Sequence, residues 1–328
     1  METFQNKIFC EQILEFSDDY ISEMETLNKS KNTILSYLNT IKFFVAFLEE
    51  YEKKVTFKNL KTRDFVKFLD YKSATLNEHK DAEPSSKALY IRHLQQFFSY
   101  IETESDESYD FASLFKRIKI AVPDRDPKGF EKDEENKILA YLESCIELAN
   151  RFDSSKSRSK NPNIKINKQF LANRNSLIIK IILYSGLRVS ELLRLSIKDL
   201  KIADDLYEIK IIGKGDKEAK IFLDINKVKN EVAFFKNNGY KLIAQSTNSK
   251  AIDRTQIWKL LKTIFSKSDV AKTGVHILRH TFAKTVYGAT KDIVTVKEML
   301  RHKSIQTTTI YAKESEQTTK NNYRKAIF

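Results

Sequence analysis

From Phe9 to about Thr103 the apolar residues recur at helical spacing. Ile34, Leu38, Ile41, Val45 and Leu48 make one stripe, with Ser30 placed as its N-cap. Phe65, Phe68 and Leu69 make a second after a Thr62 cap, and Leu94, Phe97, Phe98 and Ile101 a third after Pro84-Ser85. No alternating strand pattern interrupts them, so the first third of the chain predicts four or five packed helices. The stretch Ala121 to Gly129 holds two prolines, a glycine and several charges, which marks a linker. The expected division is a helical domain over 1–122, a linker over 123–129 and a second domain over 130–328.

The second domain is mixed. Asp133 to Leu148 and Asn175 to Tyr184 read as helices, separated by a polar, basic loop over 154–162. A helix from Val189 to Leu195 follows the Gly186 turn and puts Arg188 at its start, where free backbone N–H groups favour anions. Leu206 to Ile212 alternates as a strand does, and Ile221 to Leu223 is a second short strand. Between them Gly213-Lys214-Gly215-Asp216-Lys217 predicts a turn that carries Lys214 at its tip. Helices resume over Thr255 to Ser266, with Trp258 as core, then His276 to Tyr287 and Val294 to Leu300. Thr307, Thr308 and Thr309 are poor helix formers, so Tyr311 is expected on a short element. The tail from Glu314 to Phe328 has Tyr323, Ala326, Ile327 and Phe328 at helical spacing, an apolar face that needs a surface to cover it. The expected fold class is mainly α with a small β component.

Composition narrows the function. The chain has 328 residues, enough for two cores, with 41% hydrophobic and 31% charged residues and a net charge of +13. That balance suits a polyanionic partner, though a solvated lysine-rich surface explains it equally well. Lys29, Lys31, Lys42, Lys87 and Arg92 of the first domain read either way. Two cysteines, Cys10 and Cys145, imply no disulfide framework. No apolar run approaches ~18 residues. Met1 to Glu11 lacks the basic start and apolar core of a signal peptide, which predicts a cytoplasmic protein.

The chemistry-bearing residues gather late in the chain: Arg188, Lys214, His276, Arg279, His302 and Tyr311, with Glu191 one turn after Arg188. His276 and Arg279 share a helix face, whereas His280 is read as structural. The set is cationic or hydrogen-bond donating. It offers no acidic cluster for Mg²⁺, no zinc spacing, and no Walker or dinucleotide-binding glycine pattern, so no metal or cofactor is expected. Such a pocket suits a phosphodiester in a pentacoordinate transition state, with arginines on the non-bridging oxygens. A phenol of ordinary pKa about 10 becomes a nucleophile only if a neighbour accepts its proton or cations lower that pKa.

The motifs resemble those of tyrosine site-specific recombinases, the phage integrase family, and most of all the Xer group. Ser185-Gly186-Leu187-Arg188-Val189-Ser190-Glu191-Leu192 matches TGLRVSEL. Gly213-Lys214-Gly215-Asp216-Lys217-Glu218 matches GKGxKE. His276-Ile277-Leu278-Arg279-His280-Thr281-Phe282-Ala283 matches HxLRHxFA, and Leu300 through Tyr311 matches LGHxxxxTTxxY. The match is specific in the second domain and architectural in the first. It implies an N-terminal helical core-binding (SAM-like) domain and a C-terminal mixed α/β catalytic domain whose tail is exchanged between protomers. It also implies Tyr311 as the nucleophile of a 3′-phosphotyrosine link, Arg188 and Arg279 on the scissile phosphate, and Lys214 as general acid for the 5′-oxygen. His276 would assist proton transfer from the tyrosine, His302 would bond the phosphate and Glu191 would orient Arg188. The implied partners are double-stranded DNA carrying a dif-like recombination site, three further copies in a homotetramer on two sites, and an activating FtsK-type DNA translocase. The implied task is resolution of chromosome dimers on the nucleoid, including by the type that works without a second Xer partner. An integrase of a phage or mobile element, a non-catalytic DNA-binding protein and a relaxing topoisomerase are the alternatives. Three features stand apart from the pattern: Arg301 replaces the usual glycine before the second histidine, the 154–162 loop is long, and Lys217 competes with Lys214.

Overall fold

A computed structural model describes residues 6–76, 83–123, 129–156, 163–212, 218–302, 304–312 and 324. Lys214, Lys217, most of the basic loop and nearly all of the tail lie outside the described residues. The chain divides into two compact units, Met1–Asp124 and Arg125–Phe328.

The first unit is helical: α1 Lys7–Thr26, α2 Lys31–Glu50, α3 Thr62–Leu76, α4 Pro84–Glu104 and α5 Phe111–Lys116. Ser30 caps α2, its Oγ accepting from the Thr33 N–H at 3.2 Å. Pro84 opens α4, where its missing N–H costs nothing. Thr62 does not cap α3 as expected: it is the first helical residue, and its hydroxyl donates to the Leu114 carbonyl at 2.9 Å. The nearby acceptor is Asp64, which takes the Lys61 N–H at 2.9 Å, the Lys53 ammonium at 2.7 Å and the Tyr51 hydroxyl at 2.8 Å. Burial alone would raise the Asp64 pKa, but the bonds from Lys53 and Tyr51 outweigh it and hold the carboxyl below its ordinary range. The core is aromatic: Phe44, Phe65, Phe68, Phe97 and Phe98 are fully buried.

In the second unit α6 Lys132–Asn150 is followed by α7 Ile164–Ser185, which is longer than its apolar stretch suggested. Helix α7 is buried nearly all round, through Leu177, Ile178, Ile179, Ile181 and Ile182, and packs against α6 and two later helices. Then come α8 Val189–Leu192, β1 Leu200–Ala203, β2 Leu206–Ile212, β3 Glu218–Asp224 and α9 Ile225–Asn237. The strands form an antiparallel sheet in sequence order, with Ile209 opposite both Leu200 and Ile221. Strand β1 had no signature in the sequence because only Leu200 of its four residues is buried. The last helices are α10 Arg254–Lys267, α11 Val275–Thr290 and α12 Ile293–Leu300, before two 3₁₀ turns at Ile305–Thr307 and Thr309–Tyr311. Trp258 is not core: it is 43% exposed, with the Lys262 ammonium 5.3 Å from its ring centre. The buried stripe of α10 runs through Ile257, Leu261, Ile264 and Phe265, and Trp258 sits one residue off it. Among the described residues no helix is long and apolar enough to cross a membrane.

Candidate active site

Helix α7 ends at Gly186 in the left-handed conformation, φ 63°, a geometry glycine adopts without penalty. A Cβ there would stand 2.5 Å from the Phe282 ring, so both backbone shape and space call for glycine. The reversal brings Arg188 to the N-cap position of α8. The Arg188 N–H donates to Glu191 Oε2 at 2.8 Å and its Nη1 to Oε1 at 2.9 Å. From the other side Arg301 Nη2 donates to Glu191 Oε2 at 2.9 Å. One carboxylate thus holds two guanidinium groups. Burial works against its charge, but Arg301 and then Arg188 more than compensate, and the Glu191 pKa lies below the ordinary range.

The C-terminus of α12 supplies the next contacts. The last carbonyls of a helix have no partner within it. Here Leu300 O accepts from Arg279 Nη2, Arg301 O accepts from Arg188 Nη2 at 3.0 Å, and Gly186 O accepts from Arg279 Nη1. Both arginines are therefore fixed by main-chain carbonyls, a cationic arrangement the negative end of a helix favours. Arg301 occupies the left-handed position that ends α12, φ 56°, with its Nε buried and unpartnered. It takes up the backbone shape a glycine would hold more cheaply, and adds the second pair on Glu191.

Helix α11 contributes His276, Arg279 and His280 at positions i, i+3 and i+4, all on one face. Arg279 is buried and His276 is exposed. His302 Nδ1 is 2.9 Å from the Thr308 hydroxyl, which is fully buried. Tyr311 is 6% exposed, packs on Ala283, Val296 and Leu300, and shares a 2.5 Å hydrogen bond with His280 Nδ1. Arg188, His276, Arg279, His302 and Tyr311 line one cavity of about 400 Å³, together with Arg254 and His280. Lys214 lies outside the described residues. A larger cavity of about 540 Å³ beside α6, α7 and α10 holds Arg174, whose guanidinium is occupied by Gln245 O and Asn175 Oδ1.

Electrostatics follow from this crowding of cations. Burial, then Arg279 and Arg188, push the His302 pKa down to about 4. Burial with Arg254 and Arg279 lowers His276, and burial with His276 and Arg279 lowers His280, so neutral imidazoles are favoured. Burial raises the Tyr311 phenol to about 12, against the opposing pull of Arg279. No cluster of His, Cys, Asp or Glu among the described residues is arranged to hold a metal ion. The cavity instead offers fixed guanidinium groups for an anion and neutral imidazoles for a proton, around a protonated phenol.

Two lining residues escaped the sequence. His280 lies one helical turn from His276, so the i, i+4 spacing was itself the missed signal. Arg254 begins α10, 22 residues before His276, and no spacing rule connects the two; only the packing of α10 beside α11 brings it in.

A model of the phage integrase family matches residues 160–318, the stretch that carries every one of these side chains. The chain carries a phage integrase family domain over these residues. It is a tyrosine recombinase of Xer type, a DNA-binding enzyme that cuts and rejoins DNA strands. It is 27% identical to the tyrosine recombinase XerH of Helicobacter pylori, over 94% of this chain and 85% of that protein. It is also 27% identical to the tyrosine recombinase XerD of Listeria innocua, over 90% of this chain and 92% of the relative. A crystal structure of XerH bound to a palindromic difH substrate, a post-cleavage complex, shares the fold with a TM-score of 0.70. The two are 23% identical, and the match covers 92% of this chain and 84% of that one.

Proposed function

We propose that this recombinase cleaves DNA by attack of Tyr311 Oη on a phosphodiester held by Arg188 and Arg279. The supporting observation is that Tyr311 shares one cavity with both arginines and with His276 and His302. In the step, the Oη–P bond forms at the 3′ side and the P–O5′ bond breaks. The arginines take up the growing negative charge of the phosphorane, and His302 bonds one of its oxygens. Glu191 orients Arg188. An imidazole of α11 receives the phenolic proton, the role the family resemblance gives to His276. Lys214 protonates the leaving 5′-oxygen, an assignment resting on the Gly213-Lys214-Gly215 match alone. Because the phosphotyrosine retains the ester energy, a second strand's 5′-hydroxyl reverses the step without ATP.

In this reading residues 1–122 form the core-binding domain, 123–129 the linker and 130–328 the catalytic domain with its exchanged tail. Four copies act on two dif-like sites in the cytoplasm, at the nucleoid, to resolve chromosome dimers in step with cell division. A DNA translocase activates them. The resemblance to Xer recombinases supports this, as does the XerH relative having been crystallised on difH. The test is a nicked suicide duplex, carrying a palindrome selected for tight binding from a random-sequence pool, incubated with wild type and Tyr311→Phe. A covalent protein–DNA adduct is expected with wild type and none with Tyr311→Phe. An adduct of equal yield from Tyr311→Phe would overturn the proposal.

A further inference from the structure

The imidazole that meets the phenol is not the one the motif nominates. Tyr311 Oη lies 2.5 Å from His280 Nδ1, and among the described residues no other group bonds the phenol oxygen. His276 lines the same cavity without a hydrogen bond to Tyr311. His302 commits its Nδ1 to Thr308. Glu191 is held between Arg188 and Arg301, so its carboxylate is not free to accept a proton.

We infer that His280 is the catalytic residue that takes the Tyr311 proton during strand cleavage and returns it during rejoining. The inference rests on the reading of Tyr311 as the nucleophile. In the Nε2–H tautomer the phenol donates to Nδ1, and a proton transfer along that bond needs no motion of either side chain. As Oη bonds to phosphorus, its proton passes to Nδ1. The P–O5′ bond breaks and the 5′-oxygen takes a proton from the general acid. The imidazolium formed on His280 stands beside the phosphorane held by Arg188 and Arg279, where the new positive charge is offset by the oxygens' negative charge. In rejoining, the 5′-hydroxyl attacks and gives its proton back to the deprotonated general acid, the Tyr311–phosphate bond breaks and the proton on His280 returns to Oη. The groups that act on His280 are neutral or cationic: His276 and Arg279 on its own helix, and Tyr311 and His302 from the segments after α12. That environment keeps the resting imidazole unprotonated and ready to accept. His276, exposed and nearer Arg254, is left to the phosphate.

The deciding experiment compares single-turnover adduct formation on the suicide duplex for wild type, His280→Ala, His280→Gln and His276→Ala. Each is made with tyrosine and with 3,5-difluorotyrosine, a more acidic phenol, at position 311. His280→Ala and His280→Gln are expected to slow adduct formation by roughly 10²-fold or more, the range for loss of a positioned base, with gel-shift affinity unchanged. Difluorotyrosine should restore at least a tenfold share of that loss, since an acidic phenol sheds its proton without help, and should change wild type little. A rate in the His280 variants equal to wild type overturns the inference. So does a loss that difluorotyrosine leaves untouched, or a rescue confined to His276→Ala. Tyr311→Phe, run alongside, reports separately on the nucleophile: an adduct from it would remove the underlying reading rather than the choice of histidine. The Gln variant keeps most of the side-chain volume, so agreement between the two His280 variants excludes a packing defect as the cause.

Discussion

Gly186 joins three constraints at one backbone unit. Its φ of 63° is left-handed, its missing Cβ makes room for Phe282, and its carbonyl holds Arg279. Alanine here combines overpacking with an unfavourable φ, a loss of about 2–4 kcal/mol. We predict that the urea midpoint of Gly186→Ala falls accordingly and that adduct formation slows even where the protein is folded. An unchanged midpoint would mean that Phe282 moves aside freely. The motif around Gly186 was legible because it packs a turn, an arginine and a carboxylate into seven residues. Arg301 was legible only as a departure. Its partner, Glu191, is 110 positions away, and no local pattern announces a salt bridge of that span.

Helices α11 and α12 show where reading by period succeeds and where it stops. Both were visible as apolar runs, and the threonines at 307–309 foretold that Tyr311 would leave regular helix, as the two 3₁₀ turns bear out. The error over His280 was one of phase. Positions i and i+4 meet on a helix, and the second histidine was set apart from the first although the geometry joins them. The anchoring of Arg188 and Arg279 by the end carbonyls of α12 could not be read at all, because backbone acceptors leave no mark on side-chain pattern. Buried histidines also make the helical framework sensitive to acid. In the first unit His93 on α4 bonds the Thr40 hydroxyl of α2 at 2.8 Å, and burial, then Arg92, depresses its pKa. A depressed histidine is neutral in both states above about pH 6.5 and adds no pH dependence there. Below that the unfolded chain takes up a proton that the folded one refuses, so stability falls as pH falls, by at most about 1.4 kcal/mol per pH unit for each such group. The urea midpoint should therefore drop between pH 7 and pH 5. His93→Gln should make that slope shallower, with His276, His280 and His302 supplying the remainder. A slope identical to wild type would show that His93 titrates alike in both states.

The net charge of +13 bears on binding rather than fold. For a recombinase gripping a duplex through lysines and arginines, affinity should fall steeply with salt, log K declining linearly with log salt at about 0.9 per phosphate neutralised. Titration of the selected duplex at several salt concentrations should give a slope of several units. A flat plot would mean that phosphates contribute little. Two cores were foreseeable from the helical first third and the proline-bearing stretch after it, and the mixed character of the second from its alternating strand and glycine turn. What the sequence withheld was the part of α10, whose Arg254 joins α8, α11 and the final turns in their convergence on one cavity. That convergence carries the claim that Tyr311 is the nucleophile. The most direct measurement of it is mass spectrometry of the covalent adduct, after nuclease and protease digestion, to find which side chain carries the nucleotide and through which end. A 3′-nucleotide on the peptide containing Tyr311 is the predicted result. A nucleotide on another residue, or one joined through its 5′ end, would contradict the assignment of the site.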